Sequence, residues 1–444
     1  MADKPPSRLR RLARLTGLTS RVTGSYVGQQ VKSVLSGNSE PTKEELDRLH
    51  VENTGRIVDA MSKLKGAAMK VGQGMAMAAR SLDLPPEVAQ QLSKLNNEAE
   101  PVPFSTIRED IERELGGKLE DLFQSFSEEP LGTASLAQAH RAVLPDGSDV
   151  VVKVLHRGID DSVHTDLMAL KTVLIGSRVL RRDKAEIDAV FSEIQARLEE
   201  ELDYLQEAAN IYAFHELWQD DPDVRSPRVH GAYSTERVLT MDRMKGVHVD
   251  EFVKTASPEA KQRAGETMAR LYYTMAFRHR LLHADPHPGN YLFQEDGTVG
   301  VLDFGCVKRF DEFWIGRYCR IAKYAIEGDR ARALYESREM GALVGNDKKA
   351  ADVLWDFFDA LAVHLRRGPF QLGGPEDNII ADMRPVAKKL GLQPNIRVPS
   401  DVIFLHRSLA GIYSITKRLG PVLDPGKLFV EVCDEAIARA EGRL

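Results

Sequence analysis

Hydrophobic positions change their period several times along the chain. Leu46, Leu49, Ile57, Met61, Leu64 and Ala68 recur at helical spacing, which predicts helices from about residue 44 to 125. Pro85-Pro86 breaks that stretch, and Ile107, Ile111 and Leu115 form a last stripe closed by Gly116-Gly117. Near residue 130 the texture turns β-like. Val143-Leu144 and Val150-Val151-Val152-Lys153-Val154 flank Pro145-Asp146-Gly147, which predicts a hairpin. Ile187, Val190, Phe191, Ile194, Leu198, Leu202 and Leu205 then predict one long helix from Lys184 to about Trp218. Val238-Leu239-Thr240-Met241 predicts a strand, and short strands are expected at Tyr291–Phe293 and Val299–Leu302. The remainder reads as helical, with no internal repeat.

Composition narrows the class. Of 444 residues, 43% are hydrophobic and 28% charged, which places the chain among globular proteins. A formal charge of −6 argues against a general nucleic-acid binder. Cys306, Cys319 and Cys433 form no C-x-x-C pair, so neither a disulfide framework nor a cysteine-rich zinc site is expected. No apolar run reaches the ~18–20 residues that a membrane-spanning helix needs, and no secretory signal is expected. The first 35 residues are different: Lys4, Arg8, Arg10, Arg11, Arg14, Arg21 and Lys32 face a lone acid, Asp3, with Leu9, Leu12 and Leu15 on one stripe. That pattern fits a helix lying on an anionic membrane surface, an organelle transit peptide, or a solvated terminus. Ser36 to Lys43 reads as a linker.

The densest chemistry lies in His283-Ala284-Asp285-Pro286-His287-Pro288-Gly289-Asn290, followed by Asp303-Phe304-Gly305. Asp285 and Asn290 are five residues apart, and Asn290 and Asp303 thirteen. Protein kinases space a catalytic-loop Asp, a metal-binding Asn and the D-F-G Asp in this way. One carboxylate stands where an attacking hydroxyl or water sits. An amide oxygen and a second carboxylate suit Mg²⁺, a hard cation. Two other readings stay open at this point: His283-x-Asp285-x-His287 as a transition-metal hydrolase cluster, and a proline-rich turn with satisfied histidines.

A kinase-like site also needs a cation for nucleotide phosphates. Lys153 sits on the predicted strand in a V-A-I-K-like context, and Glu207 on the acidic helix is chosen as its ion-pair partner. The glycine-rich loop expected before Lys153 is absent. Pro130 to His140 takes its place, a small-residue loop whose backbone N–H groups can approach phosphate. Ala134 and Ser135 in this loop, and Met241 on the later strand, are assigned to the cofactor with Lys153 and Glu207.

With these motifs in view, the chain resembles the UbiB (AarF-like) family of atypical protein-kinase-like proteins, in particular the branch linked to coenzyme Q biosynthesis. Lys70-Val71-Gly72-Gln73 resembles the family's K-x-G-Q motif, residues 130–140 its alanine-rich loop, and Glu201-Leu202-Asp203-Tyr204, continuing through Glu207-Ala208-Ala209-Asn210, its E-x-D region. The resemblance implies an α+β, kinase-like bilobal fold. Residues 1–43 would be a basic tail and linker and 44–125 a helical extension. Residues 126–240 would be a small β-containing lobe with inserted helices, and 241–444 a mostly helical lobe. It implies that Asn290 and Asp303 hold Mg²⁺, that Asp285 stands at the catalytic-base position, and that ATP or ADP is the nucleotide. Lys70 and Gln73, with Glu201 and Asp203, would close over the active site and restrict access by protein substrates. Gly132-Thr133 departs from the family's alanine stretch, which puts nucleotide preference in doubt.

The expected function is therefore a Mg²⁺-dependent, lipid-associated ATPase or small-molecule phosphotransferase supporting quinone biosynthesis. Its partners would be an anionic membrane surface, a quinone-like lipid and quinone-biosynthesis proteins, in the cytoplasm or an organelle matrix and peripheral to the membrane. A nucleotide-gated binding module and a true protein kinase are the alternatives. Met61, Met69, Met75 and Met77 offer an aliphatic surface that fits core packing better than a lipid site.

Overall fold

The structure, a computed structural model, describes residues 101–134, 136–176 and 184–444, with a dozen separate helical positions between Gly17 and Gly55. Lys70, Gln73 and Ser135 lie outside the described residues, as do the leucine stripe near the start, the 36–43 linker, Pro85-Pro86 and the four methionines. The chain divides into two compact units, Met1–Ala208 with Val229–Arg243, and Ala209–Arg228 with Met244–Leu444.

The first unit is built on an antiparallel sheet. Chain order gives β1 (Ser125–Thr133), β2 (Ala137–Val143), β3 (Asp149–Leu155), the two-residue β4 (Val224–Arg225) of the second unit, and β5 (Val238–Asp242). The sheet order is β1-β2-β3-β5. The β2–β3 hairpin turns where Pro145-Asp146-Gly147 predicts it, and Gly147 takes φ 87°, a conformation open to glycine. Alternation along β3 sends Val150, Val152 and Val154 into a core with Ile107, Ile111, Phe123 and Val238, and turns Lys153 to the other face. Ile107 and Ile111 come from the Phe104–Leu115 helix, which ends where the sequence predicts, at Gly116 with φ 73°.

Two predicted elements differ. Pro130 to His140 is not a loop: β1 runs to Thr133 and β2 begins at Ala137, so only the residues between them turn. Gln138 and His140 are buried, and their side chains bond the backbone at Val102 and Ser127. The long helix after Lys184 is two helices, Lys184–Glu200 and Tyr204–Trp218. Asp203 causes the break, because its carboxylate accepts the backbone N–H groups of Leu205 and Gln206 and so caps the second helix.

The second unit is mostly helical, as predicted. The Pro258–Tyr273 helix packs on Ser400–Leu419, and Glu312–Glu327 packs on Pro425–Ala440 and Lys348–Arg366. Its strands are short: β6 (Leu281–His283), β7 (Tyr291–Phe293), β8 (Val299–Val301) and β9 (Val307–Arg309). No helix among the described residues is long and apolar enough to cross a membrane.

Ile111 is fully buried against the sheet. Ile111→Ala is expected to destabilise the first unit by about 2–4 kcal/mol in denaturant unfolding.

Candidate active site

Two strand pairs in the second unit bracket two loops. β6 pairs antiparallel with β9, setting His283 opposite Val307, and β7 pairs antiparallel with β8, setting Tyr291 opposite Val301. The segments 284–290 and 302–306 run between these ladders. Each is tied to the other at its ends: the Ala284 N–H donates to the Cys306 carbonyl at 2.9 Å and the Leu302 N–H to the Asn290 carbonyl at 3.0 Å. Asp285 and Asn290 therefore lie on a loop bonded to the one that carries Asp303. Neither β6 nor β9 is predicted from the sequence.

Within the bracket the side chains are oriented by hydrogen bonds. The Asn290 amide N–H donates to the Asp285 carboxylate at 2.9 Å and to the Asp285 carbonyl at 3.1 Å. That commits the amide nitrogen and turns the amide oxygen away from Asp285. The Asp303 carboxylate accepts the Gly305 N–H at 2.9 Å, an Asx turn that fixes its χ1. Asp285 is exposed, while Asn290 and Asp303 are half-buried.

A buried layer lies behind the loops. The His283 Nε2–H donates to the Asp303 carbonyl, which leaves Nδ1 to accept from the Tyr272 hydroxyl at 3.4 Å. Tyr272 in turn bonds the Tyr291 hydroxyl. Burial pushes the His283 pKa down, so the ring is a neutral brace. Phe304 is buried against Phe214 and His283, with ring centroids 4.9 and 5.8 Å away. The Asn210 amide donates to the Phe304 carbonyl at 3.0 Å. From the far side, Arg407 donates to the Ala284 carbonyl at 3.3 Å, and Gly411 lets the Ser400–Leu419 helix lie against Pro286. Asn210, Tyr272, Arg407 and Gly411 are missed by sequence reasoning. They act by long-range contact, and only Asn210 falls inside a recognised motif, which begins at Glu201.

This geometry removes the transition-metal reading. His283 is spent on a carbonyl and a tyrosine, and His287 Nδ1 accepts from the Gly289 N–H. No group of three or more His, Cys, Asp or Glu among the described residues could hold a metal ion. The donors that Asn290 and Asp303 offer are an amide oxygen and a carboxylate. They fit a hard cation that keeps waters and phosphate oxygens as further ligands, as Mg²⁺ does.

In the first unit, the Lys153 ammonium donates to both Glu207 carboxylate oxygens, at 2.6 and 2.9 Å. Glu207 is 4% exposed and the Lys153 side chain 18%. Tyr204 lies under the ammonium, 5.3 Å from ring centroid to Nζ. Ala134 begins the β1–β2 turn, its N–H bonded to the Ala137 carbonyl. Met241 is buried on β5 opposite Val151. Glu201 and Asp203 lie between two helices, and Asp203 has the capping role given above.

A family model for the ABC1 atypical kinase-like domain matches residues 94–337. The chain belongs to the ABC1 atypical kinase-like family. This agrees with the UbiB (AarF-like) resemblance of the motifs. The chain is 30% identical to the Saccharomyces cerevisiae protein "Atypical kinase COQ8, mitochondrial", over 96% of this chain and 85% of that one. It is 30% identical to the Rattus norvegicus "Atypical kinase COQ8B, mitochondrial", over 94% and 78%. A solved structure of the Mycobacterium tuberculosis protein Rv3197 with erythromycin has the same fold, with a TM-score of 0.61 and 24% identity. The match covers 88% of this chain and all of that one. The α+β kinase-like fold expected of the ABC1 family is thus the observed one.

A Cβ added at Gly411 would stand 2.3 Å from the Pro286 ring. Gly411→Ala is therefore expected to shift the 284–290 loop and the Asp285 carboxylate with it. Hydrogen exchange over 284–290 rises in the same variant if the loop has been displaced.

Proposed function

We propose that this chain is a Mg²⁺-dependent, ATP-binding kinase-like enzyme, working as a lipid-associated ATPase or small-molecule phosphotransferase in quinone (coenzyme Q) biosynthesis at a membrane surface. The observation that carries the reading is the bidentate pair between Lys153 on β3 and the buried Glu207 on the Tyr204–Trp218 helix, which supports a lysine anchor for nucleotide phosphates of the kinase-like kind. A lysine so held is pre-oriented, so little side-chain entropy is lost when phosphate arrives. Names of relatives such as COQ8 support the quinone assignment.

Each residue has a task in this reading. Lys153 binds phosphate oxygens, and Glu207 keeps the ammonium on the nucleotide side. Ala134 offers backbone at the β1–β2 turn, Ser135 is assigned to the nucleotide with it from the sequence, and Met241 contacts the nucleotide base. Asn290 and Asp303 would hold Mg²⁺, which when bound neutralises phosphate charge. Asp285 accepts the proton of the attacking water or substrate hydroxyl. Its carboxylate is held toward Asn290 by the hydrogen bond at 2.9 Å and is open to solvent on the other side. Lys70 and Gln73, with Glu201, restrict access to small acceptors. The basic segment near the start gives peripheral contact with anionic lipid.

The reading is tested by Mg²⁺-ATP hydrolysis with and without anionic liposomes, wild type beside Asp303→Asn. Hydrolysis that liposomes raise, and that falls by roughly 10²-fold or more in the variant, is expected. Unchanged hydrolysis in Asp303→Asn contradicts the metal assignment. A second variant, Glu207→Gln, is expected to weaken ATP binding at least roughly tenfold in a direct titration, because Lys153 loses its anchor.

A further inference from the structure

The helical part of the second unit contains a cavity of about 100 Å³ between the helices Glu312–Glu327, Lys348–Arg366, Ile379–Leu390 and Ser400–Leu419. Its wall includes Ile321, Leu354, Phe357, Val402, Tyr318 and His406. Protein cores pack to crystal density and rarely keep a void this much larger than a water molecule. We propose that this cavity is a binding site for a hydrocarbon group about the size of one six-membered ring, a free ring or the end of a lipid chain.

The chemistry of the wall selects that class. Its buried polar side chains are turned to one another or to backbone: the Tyr318 hydroxyl bonds His406 Nε2 at 2.8 Å, and the Ser337 hydroxyl donates to the Ala333 carbonyl at 2.7 Å. The charged residue of the wall, Arg397, is exposed and stands at the rim. A water held here would need two to four polar partners, and an apolar cavity without them stays dry and takes apolar guests. Burial pushes the His406 pKa down to about 4, so the imidazole carries no charge that would repel a hydrocarbon. An apolar approach exists as well. Leu390, Ile396 and Val398 line the cavity at one end, and Val398 is 42% and the nearby Leu392 72% exposed.

The position gives such a guest a mechanical connection. The Ser400–Leu419 helix places Val402 and His406 on the cavity and, further along, Arg407 and Gly411 against Ala284 and Pro286 of the catalytic loop. One wall of the cavity is therefore the helix that supports Asp285.

The test is thermal unfolding of the full chain with benzene or with 1-octanol, for wild type and the cavity-filling variants Ala362→Leu and Ala342→Leu. A rise of roughly 1–3 °C in wild type that disappears in the filled variants supports the site. A rise with benzene alone identifies a free ring as the preferred guest, and a rise with octanol alone a chain end. No rise with either probe, or an equal rise in correctly folded filled variants, overturns the proposal. Crystals of the wild-type chain under xenon pressure give a reading that does not depend on the variants. Xenon density in the cavity lined by Ile321, Leu354 and Val402 supports the site, and its absence there overturns it.

Discussion

The candidate chemistry depends on the two short strand ladders that bracket the 284–290 loop. β6 with β9 and β7 with β8 are each only three residues long. Alone, strands this short are marginal in water. They hold because Tyr272, His283, Tyr291 and Phe304 fill the space behind them and because every loop end is tied by a backbone bond. The result is that Asp285, Asn290 and Asp303, spread over nineteen positions of sequence, belong to one hydrogen-bonded frame. The loops are irregular between the ladders and hydrogen-bonded where they join the strands.

The first unit solves a different problem, that of holding a cation half-buried without leaving it unpaired. The period of two along β3 commits three valines to the core and thereby fixes which face Lys153 must take. Glu207, almost wholly buried, would be costly without a partner, so the ion pair offsets the burial of its charge as well as being suited to phosphate. Tyr204 adds an aromatic face beneath the ammonium. Asp203, four residues before the first turn's Glu207, starts the helix that carries it. Placement of the glutamate thus begins with a cap.

Much of this was legible in the sequence. The valine run around Pro145-Asp146-Gly147 has only one reading as a hairpin, and the Asp285–Asn290–Asp303 spacing carries its chemistry in the residue types themselves. The parts that were not legible share a cause: they are decided by contacts distant in sequence. The apolar stripe through Leu198, Leu202 and Leu205 continues across Asp203 as though no break existed, and only the competition of the Asp203 carboxylate for backbone N–H groups ends the first helix. β1 hides its period behind Pro130 and Gly132, where its register with β2 shifts. Of the three-residue strands, β7 and β8 are expected from the sequence, while β6 and β9 have too few positions to show alternation. His283 looks in the sequence like a metal ligand beside Asp285, and it becomes a brace for Asp303 only when Tyr272 is packed against it.

The central claim is that Asn290 and Asp303 form the cation half of a nucleotide site. Titration of Mn²⁺ and ATP together, followed by electron paramagnetic resonance, tests it most directly. The account predicts a nucleotide-dependent, immobilised Mn²⁺ signal in the wild-type chain that is lost in Asp303→Asn while ATP still binds. A Mn²⁺ signal that is the same in the variant, or a wild-type chain that binds no nucleotide, would contradict it.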